Sequence, residues 1–287
     1  MESKGKLRED KTDMEVAKKI DESTFENTFF KKEDNNTYGH FSSVIKEIKD
    51  GENGKSHLVK IRPPLFHLNG MLSNISRLIS GTGSRKILDH ERWSLREKEY
   101  LKNLNPDFEI DDTVYDNAIK MEKIDGEVAF DILKSEEKSN EQKKKTIREM
   151  ASGLSNIHKR DLYHGEPNTQ NCLIGKDGEI YWIDFEIEYH EDLSLMEKKA
   201  NDLEQMTLSI LGAFGEEGEL GLDDAELIDF ILDSYGDKSV ITHFLNNSHV
   251  PYFGPYRILQ LAFRSAYRFY QVQINFVKYL NCWEPEI

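Results

Sequence analysis

The stretch that decides how this chain folds is "YHGEPNTQN" at residues 163–171, followed by "IDFE" at residues 183–186. Between them, apolar residues flank a Lys-Asp-Gly turn in "CLIGKDGEIYW", a pattern that predicts a β-hairpin. Asn171 lies before this hairpin and Asp184 after it, so their oxygens can converge on a hard cation. Singly, each is more simply a turn Asn or a capping Asp. Together, at this spacing, they predict a metal-binding pair.

Outward from this motif, the chain divides into a β-rich part and a helical part. "TIREMASGLSNIHKR", residues 146–160, has the apolar spacing of an amphipathic helix that leads into the motif, and helical patterns dominate from Asp202 onward. Upstream, "YGHFSSVIKEI" and "SHLVKIR" are β-rich runs separated by the turn-forming "KDGENGK". We interpret the charged run "SEEKSNEQKKK" as a solvated loop or helix end. This order predicts a two-lobed α+β arrangement.

Composition limits the class of protein. The chain has 287 residues, with 38 Lys and Arg against 53 Asp and Glu, which gives a formal charge of −15. That charge disfavours non-specific attraction to nucleic acid or to an anionic membrane, except through a local basic patch. The two cysteines, Cys172 and Cys282, lie far apart, which predicts neither a disulfide scaffold nor a zinc site. With no apolar run long enough to span a bilayer, we expect a cytoplasmic protein.

Residues upstream of the motif have the chemistry of a phosphate site. Gly39 lies in a predicted strand turn whose amides can approach phosphate, with Phe41 at the tip, although a lone Gly is more simply just a turn. Lys60 alternates with apolar neighbours in a predicted strand, where a lysine usually faces solvent. A glutamate on the next long helix would hold it in a binding role, and Glu97 and Glu99 are both candidates.

These residues resemble the protein-kinase-like superfamily from about residue 38 to residue 211. "TYGHFSSV" resembles its Gly-rich loop with only the middle glycine kept, "LVKIR" its V-A-I-K strand, and "REKEYL" its partner helix. "IKMEKIDGE" is similar to the hinge that reads adenine, and "HGEPNTQN" with "IDFE" to the catalytic loop and the D-F-G segment. The resemblance implies a small β-rich N-lobe at residues 35–124 and a larger, mainly helical C-lobe at residues 125–287. A charged extension at residues 1–34 precedes them.

The resemblance implies a role for each matched residue, with ATP and Mg²⁺ as cofactors. Lys60 would pair the phosphates and be held by Glu97, with Glu99 as the second choice. Asn171 and Asp184 would be the Mg²⁺ ligands. The other implied nucleotide contacts are the loop residues Gly39, Phe41, Ser42 and Val44, the gatekeeper Met121, and the linker from Glu122 to Ile124.

The motifs depart from those of ordinary eukaryotic protein kinases. The loop reads H-G instead of H-R, the metal segment reads D-F-E, and no A-P-E follows. Residues 196–211 are similar to a segment of the small kinase in the tRNA-modifying KEOPS complex. The insertion after Lys60 resembles those of lipopolysaccharide core kinases and RIO kinases, and D-F-E also occurs in choline-kinase-like enzymes. The resemblance therefore indicates an atypical kinase without fixing its branch.

The predicted activity depends on one substitution. Glu166 stands where the family has the Asp that accepts or orients the proton of the substrate hydroxyl. The favoured hypothesis is an atypical kinase that transfers the γ-phosphoryl group of ATP to a protein Ser or Thr or to a small molecule or glycan, or an ATPase. The alternative is a nucleotide-binding pseudokinase.

A hypothesis of another class rests on the C-terminal helical pattern. Arg257, Arg264 and Arg268 recur at about helical spacing among aromatic residues, which would suit RNA or an acidic partner. The favoured interpretation is an amphipathic core helix with a basic rim. The phosphate acceptor itself is not readable from the sequence.

Overall fold

The computed structural model describes residues 37–40, 43–49, 56–62, 66–79, 83–111, 117–214, 220–247 and 266–282. The extension predicted at residues 1–34 lies outside these ranges, as do Phe41 and Ser42 of the predicted phosphate loop. Arg257 and Arg264 of the predicted basic patch also lie outside them. The chain separates into two compact units, Met1–Leu72 with Leu88–Lys123 and Ser73–Ile87 with Ile124–Ile287.

The first unit is built on an antiparallel sheet in the order β1-β2-β3-β5. Its strands are β1 (Thr37–His40), β2 (Ser43–Lys49), β3 (Ser56–Ile61) and β5 (Ala118–Glu122). Val59 and Ile61 of β3 form a buried cluster with Ala118 of β5. Helix α2 (His90–Leu104) begins after Asp89, whose side chain accepts a hydrogen bond from the amide of Arg92. That bond satisfies one of the amides that every helix start leaves without a partner.

Helix α1 (Phe66–Ile79) and strand β4 (Ser84–Lys86) form the insertion that follows β3. Residues 73–87 of this insertion belong to the second unit, whereas the sequence interpretation included them in the lobe at residues 35–124. The reason is strand pairing, because β4 forms an antiparallel ladder with β9 (Ile187–Tyr189), directly after the "IDFE" segment. Neither three-residue strand carries enough alternation to be predicted from sequence.

The second unit is mainly helical. Its helices are α3 (Ala129–Lys134), α4 (Asn140–Lys159), α5 (Leu195–Leu211), α6 (Asp224–Tyr235), α7 (Lys238–Asn247) and α8 (Ala266–Cys282). A three-stranded antiparallel sheet joins β6 (Gly126–Val128), β7 (Cys172–Gly175) and β8 (Ile180–Trp182). Strands β7 and β8 are the hairpin predicted between Asn171 and Asp184.

Helix α4 shows how far local patterns determine this unit. Its predicted apolar face is buried, with Ile147, Met150 and Leu154 all at 0% exposure. The helix starts earlier than expected, because Ser139 and Gln142 form a reciprocal capping box at its N-terminus. Half of the charged run that we interpreted as a loop or helix end is therefore the first part of α4.

The α+β class predicted from sequence is confirmed, with a β-rich first unit and a mainly helical second one. Among the helices in the described parts of the chain, none has the length and apolar content needed to cross a bilayer.

Candidate functional site

Lys60 in the first unit lies against Glu97. The Lys60 Nζ is 3.2 Å from the Glu97 Oε1, and the side chains are 8% and 2% exposed. Lys60 extends from the central strand β3, whereas Glu97 extends from helix α2. A buried lysine without an acidic partner would be costly, because burial disfavours its charged form. The pair therefore places a fixed positive charge on the sheet.

The surroundings of this pair explain its position. Trp93 lies one helical turn before Glu97 and is fully buried, with its ring centroid 5.6 Å from the Lys60 Nζ. Residues four apart share one face of a helix, so the ring and the carboxylate face the lysine together. Glu99 is exposed on another face of α2. Packing thus selects Glu97 over Glu99 as the partner of Lys60.

The predicted phosphate loop is described only at its ends. Gly39 in β1 pairs with Val44 in β2, and Val44 is buried at 5% exposure. These two residues therefore lie directly opposite each other on adjacent strands. Their contact with phosphate stays a prediction.

The predicted adenine-binding segment follows the edge of the same sheet. Met121 is buried in β5 at 8% exposure, and the amide of Glu122 donates a hydrogen bond to the Glu109 carbonyl. Ile124, half-buried, is the first residue after the first unit ends at Lys123. The recognition of adenine by this segment stays a prediction.

In the second unit, the loop that carries the opening motif is anchored by Asp202 of helix α5. This carboxylate is fully buried and accepts hydrogen bonds from the amides of His164 (2.6 Å) and Gly165 (2.9 Å). It also accepts one from the hydroxyl of Tyr189 at 2.8 Å, while His158 Nε2 lies 3.1 Å away. Hydrogen bonds to a charged acceptor are roughly twice as strong as neutral ones. The loop backbone is therefore held at its first two residues.

His164 connects this loop to the "IDFE" segment. Its Nδ1 accepts a hydrogen bond from the Glu166 amide, so the proton lies on Nε2, which donates to the Ile183 carbonyl at 3.1 Å. The imidazole ring, fully buried, packs on Phe185 with 4.6 Å between ring centroids. The loop and the segment after β8 are thus fixed to one another.

Asn171 and Asp184 lie at the same end of the β7–β8 hairpin, as the sequence predicts. The Ile183 amide donates to the Asn171 carbonyl at 3.0 Å, and Asp184 follows directly with a φ of 70°. Such a left-handed backbone is unfavourable for a residue other than Gly and clusters at functional sites. The Asn171 Nδ2 donates to the Glu166 carbonyl at 3.0 Å, so the amide oxygen is the atom that a cation would contact.

These two side chains fit Mg²⁺ in chemistry, because that ion takes few protein oxygens and completes its shell with phosphates and waters. Within the described residues, no group of three or more His, Cys, Asp or Glu side chains could hold a metal ion. A cation held by Asn171 and Asp184 would take its remaining ligands from phosphates and waters.

The insertion contributes two ion pairs that no sequence pattern predicts. Arg77 of α1 lies 3.0 Å from the Glu166 Oε1, and Lys86 of β4 pairs with the buried Glu186 of the "IDFE" segment. Each basic residue is distant in sequence from its partner, and the resemblance of the insertion to those of other kinases assigns no role to either of them. Asp202 lies inside the segment that is similar to the KEOPS-complex kinase, so the sequence does single it out. Its spacing alone does not show which groups it binds.

No protein-family model matches the chain, and no curated protein matches it either. Among solved structures, a crystal structure of a kinase domain is similar, at 13% sequence identity and a TM-score of 0.39. The match covers 61% of this chain and 62% of that domain, which is less than two thirds of either.

Proposed function

We propose that this chain is an atypical kinase of the protein-kinase-like fold, which uses ATP and Mg²⁺ to phosphorylate a hydroxyl group. The observation that carries the proposal is the hydrogen bond from the Asn171 Nδ2 to the Glu166 carbonyl. It ties the candidate metal ligand and the candidate base into one turn, whose backbone Asp202 holds. Phosphoryl transfer depends mainly on positioning and on electrostatic stabilisation, which such a turn supplies.

Each candidate residue of the first unit would have a role that matches its chemistry. Lys60, held by Glu97, would place its charge on the phosphates of ATP, and Met121 with the backbone from Glu122 to Ile124 would receive adenine. Gly39 and Val44, with Phe41 and Ser42 between them, would cover the phosphates.

The second unit would supply the groups for the reaction. Asn171 and Asp184 would hold Mg²⁺, which when bound neutralises charge on the phosphate oxygens. Glu166 would take the proton of the acceptor hydroxyl while the acceptor oxygen bonds to the γ-phosphorus. The bond from that phosphorus to the β-γ bridging oxygen breaks, and ADP leaves.

A nucleotide-binding pseudokinase is the second candidate, and the ion pair of Glu166 favours it. Glu is one methylene longer than Asp, and its carboxylate is already engaged by Arg77. If that pair withdraws the carboxylate from the acceptor, the chain would bind MgATP without transferring phosphate.

Nucleotide binding is tested by thermal unfolding with and without MgATP. At a concentration of about 100 times Kd, a ligand adds about 2.7 kcal/mol to the free energy of unfolding. We expect stabilisation of this order for the wild type, and none for Lys60→Met or Asp184→Asn. Lys145→Met is the matched control, since Lys145 is exposed on α4 and its Nζ lies 3.5 Å from the Glu149 Oε1 one turn away. Absence of stabilisation in the wild type would contradict both candidate functions.

Phosphate release from labelled ATP separates the two candidates. We expect release by the wild type and a loss of at least about a hundredfold in Glu166→Gln, because general-base catalysis typically contributes 10²–10⁴-fold. Glu179→Gln, at an exposed turn residue, is the control. Binding of MgATP with neither phosphate release nor autophosphorylation would favour the pseudokinase.

A further inference from the structure

Arg77 contacts the candidate base from the buried side of the second unit. The Arg77 Nη2 is 3.0 Å from the Glu166 Oε1, and its side chain is 4% exposed, whereas that of Glu166 is 20% exposed. The arginine is therefore buried, whereas the Glu166 side chain keeps a part of its surface open to solvent. In the proposed function, the acceptor hydroxyl would approach Glu166 from that open side.

The guanidinium of Arg77 is itself fixed. Its Nη1 donates to the Ser84 Oγ at 3.0 Å, and its Nε donates to the Ser73 Oγ at 3.4 Å. Ser84 is buried and lies in β4, where it pairs with Tyr189 of β9. Each of the three guanidinium nitrogens thus has an acceptor, and one acceptor is anchored to a strand ladder. A planar guanidinium group that is held by two contacts can make its third contact, with Glu166, in one direction only.

We infer that Arg77 is a positioning residue, which fixes the reach of the Glu166 carboxylate toward the acceptor. This inference rests on the proposed function, in which Glu166 is the base. A Glu side chain has one more torsion than Asp, so it loses more rotamer freedom when it is held in one position. A displacement of about 1 Å in a positioned group can cost about a hundredfold in rate. The contact with Arg77 compensates for the longer arm by selecting one arrangement of it.

The chemistry of the contact requires arginine. Lysine carries a single nitrogen, so it can keep the pair with Glu166 but cannot also span the Ser73 and Ser84 hydroxyls in one plane. Arg77→Lys should therefore restore part of what Arg77→Met loses. A blocking role for the same contact makes the opposite prediction, because removal of a blocking arginine would raise turnover.

Steady-state phosphate release tests the role. We expect Arg77→Met to lower kcat by about 10- to 100-fold with the KM for ATP changed less than about twofold, and Arg77→Lys to fall in between. Arg148→Met is the matched control, since this exposed arginine lies over the ring of Phe230, 5.3 Å from its centroid. In a Glu166→Gln background, Arg77→Met should cause no further loss of kcat, because both changes remove the same function, which is a correctly placed base. An increase in kcat, or additive losses, would overturn the inference.

Hydrogen exchange gives a readout that does not depend on turnover. Peptides that cover residues 163–171 should exchange faster in Arg77→Met than in the wild type or in Arg148→Met, while those from α6 should not change. If Arg77→Met fails to fold, Ser84→Ala is the milder variant, and it should show a smaller change in the same peptides.

These readouts separate the two proposals. A wild type that binds MgATP and neither releases phosphate nor phosphorylates itself contradicts the proposed kinase, and the contact is then judged by exchange alone. Faster exchange in residues 163–171 supports the positioning contact, and unchanged exchange overturns it.

Discussion

At the scale of single residues, one buried carboxylate organises the candidate site. Asp202 receives the amides of His164 and Gly165 and the hydroxyl of Tyr189, all between 2.6 and 2.9 Å. Asp202 is fully buried, so the three groups that donate to it have lost their contacts with water. Only their hydrogen bonds to the carboxylate offset that cost. The conformation of the loop therefore depends on a residue that would not itself touch substrate.

We predict that Asp202→Asn lowers the free energy of unfolding by about 3–5 kcal/mol, the usual cost of breaking a buried charged network. The Asn side chain has only one acceptor oxygen, and its NH₂ group would face the hydrogen-bond donors that now point at Asp202. Urea denaturation measures the change, and Asp192→Asn, at a side chain that is 96% exposed, is the control. A cost below about 1 kcal/mol for Asp202→Asn would contradict the role of this network.

At the scale of elements, the loop and strand β9 meet at Gly165, where a side chain would need one of them to move. Gly165 has a φ of 93°, and a Cβ on it would lie 2.4 Å from the Ile187 carbonyl oxygen. Real Cβ atoms do not approach a backbone oxygen so closely, so either the loop or β9 would have to move. Strand β9 also pairs with β4 of the insertion.

Gly165→Ala should therefore cost more than the strain of its backbone conformation. Gly178 provides the matched control, with a φ of 83° and nothing within 4 Å of a Cβ built on it. We expect about 1–2 kcal/mol for Gly178→Ala from the left-handed conformation alone. Gly165→Ala should cost about 1–3 kcal/mol more, from overpacking. Equal losses in the free energy of unfolding, measured by chemical denaturation, would show that the contact with Ile187 is unimportant.

At the scale of the whole molecule, buried thiol and phenol groups make the folded state less stable at alkaline pH. Burial raises the pKa of the Cys172 thiol well above its usual range. Burial, and next the nearby charge of Asp202, likewise raise the pKa of Tyr189, and burial raises that of Tyr235. The unfolded chain loses these protons near the ordinary values of about 8.5 for Cys and about 10 for Tyr, whereas the folded chain keeps them.

The sign of the pH dependence follows from this difference. Above these ordinary pKa values the unfolded state binds fewer protons than the folded state, so the free energy of unfolding falls as the pH rises. The stability that these groups contribute is fully present below about pH 8. For Tyr189→Phe we predict a decline above pH 10 that is shallower by about 1.4 kcal/mol per pH unit, the value of one proton. Parallel curves for the two proteins in urea titrations across this pH range would contradict the raised pKa of Tyr189.

How much the sequence predicts depends on the range of the interaction. The apolar face of α4 is set by spacing within a few residues, as are the β7–β8 hairpin and the location of Asn171 and Asp184 at its end. These features were predicted because the residues that define them are neighbours in the chain. The apolar spacing does not predict where α4 starts, because the start depends on the capping box of Ser139 and Gln142.

The sequence by itself determined the α+β class and most of the helices and strands, and it predicts which residues would serve phosphate and metal. Only the tertiary structure decided that Glu97 rather than Glu99 meets Lys60, and that Arg77 meets Glu166 across 89 residues of chain. Periodicity shows which residues share one face of an element, because that depends on local geometry. It does not show which face a distant segment will cover, because that depends on the path of the whole chain and on the burial it achieves.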